Sequence, residues 1–181
     1  MQPRLDIKQL HHFAFRCRDA EETRHFYEDI LGLPLIHVIE ADHVPSTGEY
    51  CPYVHIFFEM ADGSCLAFFD LGDGEMALPS PNTPSWVNHI AVQVDTVEEL
   101  DIASRRLTDA GYEVLGITDH TFVQSIYVFD PNGLRLELTT PVGPSSYMED
   151  ARGQAHRLCR EWTQRKKHLD PKKIQTALMK G

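Results

Sequence analysis

The stretch LHHFAF at residues 10–15 has a counterpart 77 positions later, VNHIAV at residues 87–92. In both stretches a histidine, His12 or His89, lies within a short apolar run, and an alanine follows two positions later. Side chains at positions i and i+2 of a strand point to the same side, so each stretch predicts a strand that presents an imidazole next to a small residue. The pair predicts a duplicated module with a metal site.

The residues after each stretch predict the same order of elements. In the first copy, Asp19 is a suitable N-cap for a helix that ends at Gly32, and the dipeptide at 62–63, Asp-Gly, predicts a hairpin between two later strands. In the second copy, Gly111 ends the helix, and DPNG at 130–133 predicts the corresponding turn. We therefore expect two β-α-β-β-β modules and an α+β fold.

The modules extend over about residues 8–72 and 85–141, within a domain of residues 1–144. The interval from the histidine to the turn glycine is 51 positions in the first copy and 44 in the second. We expect the additional residues in a loop at 40–52 that shapes a pocket mouth. Residues 145–181 predict a helical tail, because apolar residues recur there at helical spacing: Met148, Ala151, Ala155, Leu158 and Trp162. A short terminal helix is expected from Pro171, with Ile174 and Leu178 as its apolar residues.

The composition argues against several classes of protein. With 181 residues, 42% of them hydrophobic, the chain can bury the core of one ordinary domain. A net charge of −10 argues against a nucleic-acid partner, and no apolar run approaches the roughly 20 residues of a membrane span. The N-terminal residues lack the apolar segment of a secretory signal, and the four cysteines have no metal-binding spacing. We therefore expect a cytoplasmic protein with reduced thiols.

The charge is distributed unevenly along the chain. From Arg152 onward there are nine Lys and Arg against two Asp and Glu, whereas the preceding residues have eight against 25. We expect the basic tail to be a solvated helix that lies on the acidic body of its own or of a neighbouring subunit.

A carboxylate on the last strand completes the expected metal site. Three leucines, at 134, 136 and 138, define the core face of that strand, so alternation places Glu137 on the opposite face, where its charge needs water or a cation. Two imidazoles and one carboxylate from separate strands form a facial triad, which suits non-haem Fe(II) or Mn(II), while Zn and other divalent ions are alternatives. Because a single strand histidine is more often a core or surface residue, this prediction depends on the repeat.

Together with SIYVFDPNGLRLEL at 125–138, the two histidine motifs resemble the vicinal oxygen chelate superfamily, which includes glyoxalases, extradiol dioxygenases and fosfomycin-resistance enzymes. The resemblance covers about residues 10–140. It implies that the paired modules form a curved, cupped mixed sheet and that His12, His89 and Glu137 are the metal ligands. Whether the three ligands come from one chain or from two is left open.

Further positions distinguish members of this superfamily. Aligning the two copies on their turn glycines puts Ala67 opposite Glu137, where a glyoxalase-type site would have a fourth, carboxylate ligand. Its absence favours three-ligand members, among them extradiol dioxygenases and fosfomycin transferases. The likeness to extradiol dioxygenases implies three catalytic residues: His55, Tyr127 and His120. The spacing of His120 is shorter than the family pattern by about two residues.

The implied role of His55 is to exchange protons with the substrate, and that of Tyr127 is to hydrogen-bond the bound diolate. The structural alternatives are a pocket-lining imidazole and a packed aromatic ring. We expect a metal-dependent extradiol-type dioxygenase with a catechol-like aromatic substrate and O2 as partners. One alternative is a metal-dependent isomerase, lyase or transferase of glyoxalase or fosfomycin-resistance type, and another is a non-catalytic protein that binds a flat hydrophobic molecule. Because modules of this type frequently pair between subunits, we also expect a homodimer, with no membrane partner.

Overall fold

The structure, a computed structural model, describes residues 6–80 and 82–170. The chain divides into two compact units that interleave along the sequence. The first unit contains Met1–Leu78, Arg106–Tyr112 and Phe129–Leu134, and the second contains Pro79–Arg105, Glu113–Val128 and Arg135–Gly181. Each unit is built around one four-stranded sheet.

The first sheet contains four strands, with a helix between the first and the second along the chain. Its elements are β1 (His12–Cys17), α1 (Ala20–Arg24), β2 (Leu35–His43), β3 (Tyr50–Glu59) and β4 (Cys65–Asp70). The strand order is β1-β4-β3-β2, with β1 parallel to β4 and the other neighbours antiparallel.

The second sheet repeats this arrangement. Its elements are β5 (Ile90–Gln93), α2 (Val97–Asp109), β6 (Val114–Asp119), β7 (Val123–Phe129) and β8 (Arg135–Pro141). The strand order is β5-β8-β7-β6, again with the first strand parallel to the last. The predicted α+β fold of two β-α-β-β-β modules is therefore confirmed, with the strands hydrogen-bonded as two sheets of four.

The two sheets also share one strand register. In the first, Ala14 lies opposite Ala67, and in the second Ala91 lies opposite Glu137. Ala91 follows Ala14 by 77 positions and Glu137 follows Ala67 by 70, the offsets that align the histidines and the turn glycines. Glu137 therefore occupies in the second sheet the position that Ala67 occupies in the first.

Helix α1 begins as the sequence predicts and then departs from it. Asp19 caps the helix, because its Oδ1 accepts a hydrogen bond from the Glu22 backbone N–H at 2.7 Å. The helix continues as a π-helical turn, His25–Ile30, which the sequence does not predict. Gly32 follows with a φ of 82°, a conformation that glycine adopts without a steric penalty and that ends the helix.

The prediction of a loop at 40–52 is wrong, because the additional residues of the first copy lie mainly in strands. Strand β2 has nine residues and β3 has ten, against six in β6 and seven in β7. Pairing continues as far as His43 opposite Tyr50, and the connection is closed by a Gly48 N–H that donates to the Val44 carbonyl at 2.7 Å. The sequence did not predict the longer β2 and β3 strands, because β2 is mostly exposed and its sequence therefore has no clear apolar alternation.

Within the first unit, the turn at 130–133 packs against α1 through buried polar side chains. Tyr27, which is fully buried, donates its hydroxyl to Asp130 Oδ2 at 3.0 Å. Asn132 Nδ2 donates to Thr23 Oγ1 at 3.1 Å. Burial raises the pKa of Asp130 above its usual value. These hydrogen bonds satisfy groups that would otherwise be costly to bury.

The predicted tail helix forms as α3 (Tyr147–Arg165), followed by a 3₁₀ turn (Lys166–His168). None of its residues, all within the described part of the chain, is buried, and Met148, Leu158 and Trp162 are exposed. Tyr147 stacks on Phe122 with ring centroids 4.6 Å apart. The terminal helix expected from Pro171 lies outside the described residues. No helix in the described ranges is both long and apolar enough to cross a membrane.

Candidate metal centre

Strand β8 presents Glu137 on the face opposite its leucines. Leu136 and Leu138 are buried in the core, and alternation turns Glu137 to the other side together with Arg135 and Thr139. The Glu137 residue is nevertheless only 7% exposed. A carboxylate buried to this extent requires strong partners.

His89 is one of those partners, although it lies just before β5 rather than inside a strand. Its Nε2 is 3.0 Å from Glu137 Oε2, and its Nδ1 is 3.0 Å from the Val87 carbonyl oxygen. A carbonyl only accepts hydrogen bonds, so Nδ1 carries the hydrogen, and in a neutral imidazole Nε2 then has a lone pair. Two lone pairs that face each other at this distance need a proton or a cation between them.

Tyr127 and His120 extend this arrangement. The Tyr127 hydroxyl donates to Glu137 Oε1 at 3.1 Å, and His120 Nε2 is 2.7 Å from the same hydroxyl. Because the phenol proton is directed at Glu137, the phenol oxygen accepts from His120 Nε2. Burial, and after it the charge of Glu137 and the hydrogen bond to it, raise the pKa of Tyr127, which keeps the phenol protonated.

Three other side chains lie beside these groups on β7 and β8. The Arg135 guanidinium carbon is 4.2 Å from the centroid of the Tyr127 ring. Ser125 Oγ donates to Thr139 Oγ1 at 2.9 Å. The sequence patterns assign no role to these three residues.

In the first unit, His55 is buried among aromatic rings. Its ring stacks on Phe69 with centroids 3.6 Å apart and lies 4.2 Å from the Phe57 ring. The residue is 8% exposed, and its Nε2 has no hydrogen-bond partner among the described residues. Burial, together with the nearby charges of His12 and His37, lowers the pKa of His55 to about 4, so its imidazole is neutral at pH 7.

His12 lies next to His55 and is itself exposed. The two ring centroids are 5.9 Å apart, and Phe57 lies 5.5 Å from the His12 ring. His11, to which the sequence assigned no role, has its Nδ1 2.7 Å from His12 Nδ1. His37, also without an assigned role, lies against Phe57. The contact between His37 and Phe57 depends on the pairing of β2 with β3, whose register the sequence pattern does not encode.

The six predicted site residues thus fall into two sets. The second unit brings together His89, Glu137, Tyr127 and His120, and the first brings together His12 and His55. Within the described ranges, no group of three or more His, Cys, Asp or Glu side chains is arranged to hold a metal ion. His89 and Glu137 are the two of the three predicted ligands that the second unit brings into contact, and a metal ion held by them would need at least one further ligand.

A family model identifies the class of protein that this fold and site define. The glyoxalase/bleomycin resistance protein/dioxygenase superfamily matches residues 9–138, a range that contains His12, His89 and Glu137. The chain belongs to this superfamily.

Solved structures with the same fold include several members of the superfamily. A glyoxalase/dioxygenase from Nostoc punctiforme is 25% identical, with a TM-score of 0.57, and the match covers 78% of this chain and 99% of that one. The fosfomycin resistance protein FosX from Listeria monocytogenes, solved with Mn(II) and sulfate, is 22% identical, with a TM-score of 0.55 and coverage of 75% and 94%. TnmS3, an antibiotic binding protein from a Streptomyces species, is 20% identical, with a TM-score of 0.52 and coverage of 77% and 100%.

Proposed function

We propose that the protein is a divalent-metal-dependent enzyme that acts on a small substrate with two vicinal oxygens, and that His12, His89 and Glu137 hold the metal. The observation that carries this proposal is the approach of two atoms that can ligate a metal, His89 Nε2 and Glu137 Oε2, to 3.0 Å on a nearly buried carboxylate. Adjacent ligands on an octahedral ion with bonds of about 2.1 Å lie about 3.0 Å apart, so the donor set fits a divalent cation. The Val87 carbonyl orients the His89 ring, as outer partners of metal-bound histidines commonly do.

The third ligand, His12, is proposed to come from a second copy of the chain. Modules related by duplication can pair between subunits, which would let His12 of one chain complete the pair formed by His89 and Glu137 of another. In a symmetric dimer, each site would combine His12 of one chain with His89 and Glu137 of the other. The homodimer is therefore part of the proposed function.

The reaction we favour is extradiol-type cleavage of a catechol-like ring, with Fe(II) as the metal and O2 as the second substrate. When bound, the metal supplies Lewis acidity and a one-electron path between the diol and O2. The neutral His55 accepts a proton from a substrate hydroxyl, and the aromatic rings around it suit a flat substrate. Tyr127 donates its hydroxyl to Glu137 and so orients that carboxylate, and His120 fixes the direction of the hydroxyl. The phenol oxygen keeps a second lone pair with which it can accept a hydrogen bond from the substrate.

A second candidate function uses the same ligands without O2. Ala67, at the position equivalent to Glu137, leaves three protein ligands, and this is compatible with a metal-dependent isomerase, lyase or transferase of the glyoxalase or fosfomycin-resistance type. The fold shared with FosX, which was solved with Mn(II), supports this alternative. A third candidate is non-catalytic binding of a flat molecule, and TnmS3, an antibiotic binding protein, has the same fold.

Metal binding tests the ligand set directly. We expect protein purified without an affinity-tag metal to bind about one Mn(II) per chain by calorimetry, and His89→Ala and Glu137→Gln to weaken binding by at least about 100-fold. An equimolar mixture of His12→Ala and Glu137→Gln, after subunit exchange, should regain about a quarter of the wild-type sites, because one site of each mixed dimer is intact. No recovery would show that the ligands come from one chain, and unaltered binding in all variants would exclude the site.

Oxygen dependence separates the reactions. We expect the Fe(II)-loaded protein to consume O2 and a catechol in equal amounts and to stop under anaerobic conditions. Turnover that continues unchanged without O2 would favour the second candidate. No turnover, together with ligand affinity unaffected by His89→Ala, would favour the third.

A further inference from the structure

Arg135 lies on the same face of β8 as Glu137, two residues earlier in the strand. The residue is half-buried, and its guanidinium carbon lies over the Tyr127 ring, 4.2 Å from the ring centroid. At about 3.3 Å per residue, the Arg135 and Glu137 side chains leave the strand about 7 Å apart. Arg135 therefore lies beside the proposed metal ligands.

Arg135 forms no ion pair with the protein in the described ranges. Of the three half-buried arginines there, Arg16 pairs with Asp73, and Arg24 pairs with Glu21, Glu28 and Asp29. Arg135 has no carboxylate within 4.0 Å among the described residues, although the chain has 27 acidic residues against 17 basic ones. A half-buried cation without a counterion in an acidic protein is a group that an anionic ligand can satisfy.

The neighbouring carboxylate is already engaged elsewhere. Glu137 Oε1 accepts from Tyr127, and its Oε2 faces His89. The contact with the Tyr127 ring engages the guanidinium group by a cation–π interaction, and no hydrogen bond from its N–H groups to another described residue is formed. Those N–H groups match the two oxygens of a carboxylate or phosphonate in a bidentate pair.

We propose that Arg135 binds an oxyanion on the substrate, so that the substrate carries a carboxylate or phosphonate in addition to its two chelating oxygens. This inference rests on the proposed metal site for the position of the chelating end, and it narrows the substrate class from neutral diols to anionic ones. The separation of about 7 Å between the two side chains where they leave β8 is similar to the length of a single substituted ring, so we expect the anionic group and the chelating oxygens at opposite ends of one ring. A catechol substituted para to one hydroxyl has this shape.

The test compares matched ligands by calorimetry on the full chain, with and without Mn(II). The ligands are catechol, 3,4-dihydroxybenzoate and 3,4-dihydroxyphenylphosphonate. The variants are Arg135→Gln, Arg135→Lys and the control Arg105→Gln, which removes one positive charge from an exposed position on α2. Unchanged Mn(II) affinity and urea midpoint would show that the Arg135 variants keep their fold.

We expect the wild type and Arg105→Gln to bind an anionic catechol at least about tenfold more tightly than catechol, as a hydrogen-bonded charge pair provides. Arg135→Gln should reduce this ratio to about twofold or less, and Arg135→Lys should retain part of it, because lysine keeps the charge without the planar fork. The relative affinities of the two anionic ligands show which oxyanion fits.

Equal binding of the three ligands to the wild type would overturn the inference, as would a ratio lowered equally by Arg135→Gln and Arg105→Gln. The experiment distinguishes a failure of the proposed metal site from a failure of the proposed anion site. If no Mn(II) binds but Arg135 still sets the preference for anions in the metal-free protein, the metal site is wrong and the anion site stands. If Mn(II) binds and no preference exists, the anion site is wrong and the metal site stands.

Discussion

At the scale of single residues, the orientation of the candidate ligands is set by groups that would not touch a metal. The Val87 carbonyl fixes the tautomer of His89, and Tyr127 holds one oxygen of Glu137 while leaving the other directed at His89. Such outer hydrogen bonds increase metal affinity because they hold the ligand side chains in the binding conformation, so that less conformational entropy is lost when the metal binds.

Removal of the Tyr127 hydroxyl tests this role. We expect Tyr127→Phe to weaken Mn(II) binding by about tenfold or more, because Glu137 loses its hydrogen bond while the ring and its contact with Arg135 remain. Tyr53→Phe is the matched control, since Tyr53 packs against Phe69 in the first unit. Equal Mn(II) affinities in the two variants, measured by calorimetry, would contradict the role of the hydroxyl.

The buried imidazole of His55 predicts a pH dependence of stability in the metal-free protein. Its pKa is about 4 in the folded chain, against about 6.5 when unfolded, so between these values the unfolded state binds more protons. This group therefore destabilises the fold as pH falls, by about 2 kcal/mol between pH 7 and pH 5.

Substitution of His55 by phenylalanine removes that titration. Urea unfolding at pH 7, 6 and 5 should show a smaller loss of stability on acidification for His55→Phe than for the wild type, whatever its stability at pH 7. The same slope in both proteins would mean that the imidazole is protonated as easily in the fold as in the unfolded chain.

At the scale of elements, the strand pairs fix where the site residues lie. Gly116 on β6 illustrates how close that pairing is. It has a φ of 129°, and a Cβ there would lie 2.7 Å from the backbone oxygen of Ser125 on β7. That contact cannot be relieved by a side-chain rotation, so the strands would have to separate.

We expect Gly116→Ala to lower the free energy of unfolding by at least about 2 kcal/mol, since it adds both a steric contact and an unfavourable φ. Gly153→Ala is the control, because an added Cβ on α3 meets nothing within 4 Å and improves helix propensity by about 1 kcal/mol. Urea denaturation measures both. Similar changes in the two variants would show that β6 can move away from β7 at little cost.

The elements also show which parts of the structure the sequence could predict. Features with a local cause were predictable: the Asp19 cap, the two hairpin turns and the side of β8 on which Glu137 lies. The π-helical turn and the length of the β2–β3 pair were not, because β2 has little burial to impose an apolar pattern. Contacts across many residues, such as Asp130 with Tyr27, depend on tertiary packing that a linear pattern does not contain.

The candidate site divides in the same way. Residue type and position in the repeat were enough to propose His12, His89 and Glu137. The partners that orient them, the Val87 carbonyl for example, and the unpaired state of Arg135 emerge only from coordinates. A sequence pattern indicates on which face of a strand a side chain lies. Whether that side chain forms a hydrogen bond depends on the distance between donor and acceptor, which the structure gives.

At the scale of the whole molecule, the exposed helix α3 is the feature that calls for a partner. It presents the apolar residues Met148, Leu158 and Trp162 and leads into the basic segment that runs from Arg152 onward, in a chain whose preceding residues are acidic. A second copy offers an acidic surface for a helix of this kind, in agreement with the proposed homodimer.

Deletion of residues 145–181 tests this contact. We expect the full chain to sediment as a dimer that weakens with increasing salt, because part of the attraction is between opposite charges. The truncated chain should sediment as a monomer or as a much weaker dimer. A full-length monomer, or a dimer unaffected by the deletion, would assign α3 some other role.

The common register of the two sheets has a consequence for how this chain diverged. Duplicated halves that keep the same pairing of their first and last strands can change chemistry there by single substitutions, since no backbone has to be rebuilt when one copy gains or loses a functional group. Ala67 and Glu137 occupy equivalent places on equivalent backbones, so each half serves as an internal reference for the other. The two halves therefore share a backbone arrangement and differ in the few side chains that would carry the function.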